Sequence, residues 1–262
     1  MKNFSFYNPT KILFGKGRIQ DIAGEIPKES KIRLTDGGGR IKRNGIFDEG
    51  MEALPGYHIM EVGGIEPKPS YETLMQCVEV VRKNSIDFLL AVGGGSVIDG
   101  TKFIAAAALH EGEPWDIVKT YGKVIKRALP FGTVLTLPAT GSEMNNGAVI
   151  THRASRTKLP FVHPLLYPRF SILDPTKTYT LPPEQIANGV VDTFVHVIEQ
   201  YLTYPANGKV QDRFAEGLLL TLIEEGPKAI TQPRDYDVRA NLLWCATRGL
   251  NGLIGVGVPQ DW

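Results

Sequence analysis

Cysteine is scarce in this sequence. Cys77 and Cys245 are the only two. They lie far apart in stretches of helical spacing, which excludes a disulfide framework and a CxxC metal site, and each reads as a small buried apolar residue. Neither sign of charge is in excess. With 29 Lys and Arg against 28 Asp and Glu, the chain lacks the basic footprint of a nucleic-acid binder. Long apolar runs are missing too. The longest, such as residues 103–109, fall far short of the about 20 residues that cross a bilayer. The first residues, Met1-Lys2-Asn3-Phe4-Ser5, have no apolar core of a secretory signal, so a cytoplasmic location is expected. Internal repeats and low-complexity linkers are absent. Histidine is sparse, and none follows His196.

What is present is alternation. Residues 31–173 switch between short apolar runs and helical spacings, which predicts an α/β domain with a largely parallel sheet. Strands are expected at 31–35, 57–62, 87–92 and 132–137, and helices at 45–54, 72–83 and 97–109. Ser70 is placed to cap the second of these helices. The unbroken apolar run 87–92 suits a strand buried on both faces. Residues 4–14 alternate apolar and polar side chains and read as an edge hairpin or strand. After Leu181-Pro182-Pro183-Glu184 the pattern turns helical, over 185–202, 209–225 and 239–253. The expected boundary is near residue 180, giving an α/β domain over 1–180 and an all-α part over 181–262. That second part reads as incomplete, because its apolar stretches 214–223 and 240–253 call for core partners that the chain does not supply.

Three segments carry candidate chemistry. Gly93-Gly94-Gly95-Ser96 follows the buried strand and opens a helix. Glycine lets a backbone approach a ligand closely, and a helix N-terminus offers free N–H groups to a pyrophosphate. Its bland reading is a tight turn, and the strand–turn–helix context favours phosphate. Gly37-Gly38-Gly39-Arg40 ends the first strand, where a dinucleotide fold reaches the adenosine ribose. Arg40 is suited to a 2′-phosphate, whereas Asp36 is suited to a 2′-hydroxyl and repels phosphate. Lys42 and Arg43 read better as solvated charges. Thr136-Leu137-Pro138-Ala139-Thr140-Gly141-Ser142-Glu143 offers hydroxyls, those of Thr136, Thr140 and Ser142, at a strand end, where a nicotinamide or its ribose would lie.

Asp192 and His196 stand one turn apart on one helix face, a spacing at which a carboxylate and an imidazole can share a divalent metal. Spacing alone equally suits a surface or capping pair. His58, His110, His152 and His163 lack ligand spacing. Lys158 alone would read as a surface lysine.

Together these segments resemble the iron-containing (group III) alcohol dehydrogenases over the whole chain, nearest the bacterial NADPH-dependent aldehyde reductase and butanol dehydrogenase branch. The resemblance is carried by residues 8–17, by Gly64-Ile65-Glu66-Pro67, by the Gly93 and Thr136 segments, and by Asn188-Gly189-Val190-Val191-Asp192. Most specific are residues 211–217, Gln-Asp-Arg-Phe-Ala-Glu-Gly, and residues 257–262, Gly-Val-Pro-Gln-Asp-Trp. The resemblance implies a Rossmann-like N-terminal domain and an all-helical C-terminal domain, with the active site in the cleft between them. It implies a homodimer, NADP(H) with NAD(H) as the alternative, an aldehyde or primary alcohol as substrate, and Fe²⁺ or Zn²⁺ as catalytic metal. Asp99, Thr136, Thr140 and Lys158 match positions around the cofactor. Asp192 and His196 match the first two metal ligands, and the family's two later histidines have no counterpart in this sequence. Half a metal site is therefore expected, in a chain cut short. Lys68 and Arg40 replace neutral residues of the family pattern and add positive charge near a 2′-phosphate. Two alternatives stand beside this reading: a glycerol dehydrogenase-like enzyme, and a nucleotide-binding remnant without activity.

Overall fold

The computed structural model describes residues 1–258, so the last four residues of the 257–262 run lie outside the described residues. Eight strands form in chain order: β1 (Lys11–Phe14), β2 (Lys31–Asp36), β3 (His58–Val62), β4 (Phe88–Gly94), β5 (Phe131–Leu137), β6 (Gly147–His152), β7 (Thr157–Val162) and β8 (Phe170–Leu173). Six of them make one sheet in the order β1-β8-β5-β4-β2-β3, parallel throughout. β6 and β7 form a separate antiparallel ribbon.

The helices are α1 (Arg40–Arg43), α2 (Ile46–Glu52), α3 (Tyr71–Lys83), α4 (Gly95–Ala108), α5 (Trp115–Lys119), α6 (Pro183–Tyr201), α7 (Lys209–Thr231) and α8 (Tyr236–Gly249). Ser70 caps α3 as its sequence position suggests, its hydroxyl accepting the Thr73 N–H at 3.4 Å.

The strand period of two sorts the sheet's side chains into two cores. Along β4, Leu89 and Ala91 join the core beneath α3 and α4, while Phe88, Leu90 and Val92 join the core on the opposite face. Burial of each such side chain is worth about 1.5–3 kcal/mol, which is why a continuous apolar run suits a central parallel strand.

Three expectations need correction. The N-terminal segment is no hairpin: residues 1–10 have no regular structure, and only Lys11–Phe14 pair, in parallel with β8 at the sheet edge. α7 does not stop at residue 225 but runs through Pro227 to Thr231. The packing of α7 against α6 outweighs the proline, with Gly226 set directly against Val190. α8 is also no orphan. Leu242, Leu243, Cys245 and Ala246 are buried, and Leu243 belongs to the main sheet core. By contrast, α6 and α7 expose Val191, Val195, Val210, Phe214, Leu220 and Ile223. The two cysteines are unpaired and buried, and burial pushes the Cys245 thiol up to about 11.

No helix among the described residues is long and apolar enough to cross a membrane.

Candidate functional site

The strand order locates the site. After β3 the chain crosses back over β2 and continues on its other side, through β4, β5 and β8. The reversal lies between β2 and β4. In open α/β sheets the crevice outside the carboxyl ends of strands at such a reversal is where ligands bind. β2 ends in Asp36 and runs into Gly37-Gly38-Gly39. β4 ends in Gly93-Gly94 and runs into α4. Both glycine turns predicted from sequence therefore flank the same crevice.

At the second turn, Gly94 precedes α4 and no side chain caps the helix. The first N–H groups of a helix of this length make an anion site. The glycines are also required by the protein itself. A Cβ on Gly93 would come within 2.6 Å of Val97, and one on Gly95 would collide with the Thr140 hydroxyl. Ser96 accepts the Lys68 N–H at 3.4 Å, and Lys68 takes a left-handed backbone, φ 60°, that folds its loop over the turn.

On the β2 side, Asp36 is turned inward and only 4% exposed. Its carboxylate packs under Gly63, where a Cβ would lie 2.6 Å from Oδ1. Burial raises its pKa, opposed by the Gly39 N–H and Lys42. The acidic group that the sequence sets against a 2′-phosphate is thus buried and held by the turn's own backbone. Arg40 reaches the helical part and donates to Gln185 Oε1 at 2.8 Å. Lys42 is occupied by Glu61 and by the Phe47 ring.

On the β5 side, the Thr136 and Thr140 side chains are half-buried at the strand end. Asp99, one turn into α4, accepts from Ser142 at 2.6 Å through Oδ1 and from the Val149 N–H at 3.0 Å through Oδ2. Burial raises its pKa, and Lys102, Ser142, Val149 and Lys158 all oppose the rise. Lys158, exposed on β7, is close enough for its charge to favour the Asp99 carboxylate, an influence that its surface-lysine pattern concealed. Ser142, named from sequence as a cofactor contact, meets protein partners here. It is 2% exposed, and its hydroxyl is taken up by Asp99 and Lys102.

Lys102 and Glu143 were missed from the sequence. Lys102 is fully buried, with its pKa lowered to about 8 by burial and held up by Asp99 and Glu143. Glu143 is 1% exposed and accepts from Thr247 of α8 at 2.6 Å. Burial raises its pKa, against the Thr247 bond and Lys102. The available signal was a lysine inside Ile98-Asp99-Gly100-Thr101-Lys102-Phe103-Ile104, a helix with apolar residues on every side.

α6 brings Asp192 and His196 to the same edge. Gly189 allows close approach, since a Cβ there would collide with the Pro138 carbonyl oxygen, and Thr193 donates to Ala139 O at 2.9 Å. Asp192 Oδ2 lies 3.5 Å from His196 Nε2 and is buried without a hydrogen-bond partner among the described residues. A hard oxygen beside an imidazole nitrogen fits a divalent cation in kind. It falls short in number, because a catalytic ion takes about three or four protein donors, and no group of three or more His, Cys, Asp or Glu suited to a metal forms among the described residues. The described residues therefore bring together two donors of a kind that suits a cation, short of the number that a catalytic ion takes.

Comparison with known proteins agrees with this geometry. The family model described as iron-containing alcohol dehydrogenase matches residues 9–175, and that of the Fe-containing alcohol dehydrogenase family, C-terminal, matches residues 186–253. The chain is 58% identical to the NADPH-dependent aldehyde reductase YqhD of Escherichia coli, covering 100% of this chain and 68% of the relative. It is 46% identical to the probable NADH-dependent butanol dehydrogenase 1 of Bacillus subtilis, with the same coverage. The crystal structure of E. coli YqhD superposes with a TM-score of 0.98 at 57% identity, over 100% of this chain and 67% of that one. That of the NADH-dependent butanol dehydrogenase A of Thermotoga maritima gives 0.94 at 41% identity, over 100% and 66%.

Proposed function

We propose, from the premise that the chain belongs to the iron-containing alcohol dehydrogenase family and is an oxidoreductase, that it binds NADP(H) for hydride exchange with an aldehyde or primary alcohol, an exchange that the two metal donors among the described residues leave impaired. The single observation that carries this reading is the pair of glycine turns at the carboxyl edge on either side of the sheet's reversal, one of them opening an uncapped helix. The sheet order puts β2 and β5 on opposite sides of β4, so a dinucleotide with its pyrophosphate at Gly94–Ser96 directs its adenosine toward Gly37–Arg40. Its nicotinamide is directed toward Thr136–Thr140.

Within this reading the residues have distinct roles. The α4 N-terminus binds the pyrophosphate. Arg40 answers the 2′-phosphate, and Asp36, held by the Gly39 N–H and buried, is kept from accepting a ribose hydroxyl. Asp99, Thr136, Thr140 and Lys158 orient the nicotinamide and its ribose. Asp192 and His196 face the substrate end. When bound, the cofactor supplies the hydride that converts a carbonyl carbon to an alcohol carbon, and a proton from water completes the hydroxyl. Asp192 and His196 alone do not complete a metal site, so no step is drawn through one. The nucleotide part is assigned to residues 1–180 and the helical part to 181–262.

Fluorescence titration is expected to give saturable binding of NADPH, tighter than NADH, with the preference narrowed by Arg40→Ala. Tighter NADH binding would return the site to Asp36. No binding by folded protein would remove the nucleotide reading.

The reading also includes a homodimer. β1 pairs with β8 on one side and stands at the edge of the described sheet, and open edges invite pairing with a second copy. Light scattering is expected to report a dimer at micromolar concentration, and a clean monomer would reject it. A cytoplasmic setting suits the reading, since two unpaired thiols stay reduced there.

A further inference from the structure

We infer that Lys102 is a positioning residue for the nicotinamide half of the pocket: its buried ammonium orients the Asp99 carboxylate through Ser142 and pins the loop that carries Thr140. This rests on the nucleotide-binding reading above.

Lys102 lies one turn beyond Asp99 on α4, among the buried Ile98, Phe103 and Ile104. An ammonium closed off from water must find acceptors inside the protein. It has three N–H donors and no acceptor, and each donor is used: Ser142 Oγ at 2.9 Å, Asn145 Oδ1 at 2.9 Å and Gly147 O at 2.7 Å.

The direction of these bonds has consequences. Because Ser142 Oγ accepts from Lys102, its own hydrogen is free to point to Asp99 Oδ1, 2.6 Å away. The Val149 N–H holds Oδ2 at 3.0 Å. The carboxylate is therefore fixed at both oxygens, and one of the two fixings is dictated by Lys102. Asn145 is fixed likewise. Its Oδ1 is shared by Lys102 and the Gly147 N–H, and its Nδ2 donates to Gly141 O at 3.0 Å. The segment between Thr140 and Gly147 is thus tied at several points to one ammonium. Glu143 ties the same segment to β8 and α8, through Ser171 and Thr247, whereas the segment's link to the carboxylate at the crevice runs through Ser142, which Lys102 holds in place. Thr140 in turn rests against Gly95 of the phosphate turn.

A purely structural lysine would weaken every ligand alike when removed. A positioning lysine acts selectively on the end it positions. The test uses Lys102→Met, which keeps length and removes the donors, and Ser142→Ala, which cuts the link to Asp99 and one of the three bonds of the ammonium while leaving those to Asn145 and Gly147. Each is titrated with NADPH and with 2′-phospho-ADP, which has the adenosine and both phosphate sites but neither the second ribose nor the nicotinamide. Lys102→Met is expected to weaken NADPH about tenfold or more, the scale of lost charge-assisted bonds, and to leave 2′-phospho-ADP unchanged. Ser142→Ala is expected to act in the same direction by less, and it decides the matter if Lys102→Met does not fold. Equal weakening of both ligands, or undiminished NADPH binding in the folded variants, would overturn the inference alone. A wild-type chain that binds neither ligand would remove the nucleotide reading and the inference together.

Discussion

Purified protein of these 262 residues, reconstituted anaerobically with Fe²⁺ or Zn²⁺, is expected to retain well below one equivalent of metal and to show negligible NADPH-dependent reduction of butanal. Asp192 and His196 contribute one carboxylate and one imidazole at 3.5 Å, and no further ligand cluster forms among the described residues. Water would occupy every other coordination position. A cation held that way lacks the ordered protein shell that fixes ligand geometry and sets its acidity. The support behind the pair is thin as well, since Val191 and Val195 on the same helix are exposed. Asp192→Ala is accordingly expected to change little in this chain. Elemental analysis beside the rate assay decides the point. A stoichiometric metal and a robust rate, both lost in Asp192→Ala, would show that the two donors suffice.

The second large effect is expected at Gly95. A Cβ there collides with the Thr140 hydroxyl, so Gly95→Val forces apart the phosphate turn and the β5 loop. Overpacking of this kind costs about 1–3 kcal/mol in stability. The loss of cofactor affinity should be larger than the stability loss suggests, because both displaced segments belong to the crevice. Gly217→Ala is the matching control. Nothing lies within 4 Å of a Cβ at that exposed position in α7, and replacing a helical glycine with alanine gains about 0.5–1 kcal/mol. Urea unfolding and NADPH titration of both variants check the pair. Wild-type affinity in Gly95→Val would show that the turn does not touch the cofactor.

The parts of the fold that were legible are those with local causes. The run at 88–94 is apolar at every step until its glycines, so its burial on two faces and its abrupt turn into a helix follow from residues within one window. The Ser70 cap and the i, i+4 placement of Asp192 and His196 are local in the same sense. Where local rules misled, a distant contact decided. Pro227 marks a helix break by its chemistry, yet α7 continues because Gly226 seats it against Val190 of α6. The alternation in residues 4–14 suggests an edge hairpin or strand; an edge strand forms, but the partner edge belongs to β8, and only four residues reach it.

The sequence by itself determined the class, the parallel sheet, the glycine turn that opens α4 and the placing of Asp192 and His196 one helical turn apart, because each depends on residues within a few positions of one another. Tertiary structure alone decided which charges serve the crevice. Arg40 meets Gln185 across 145 residues, and Ser142 meets Asp99 and Lys102 across 43 and 40. Asp36 turns inward under a glycine of a later loop. A buried charge is set by the acceptors that the fold assembles around it, and chain-distant acceptors leave no mark in the local pattern.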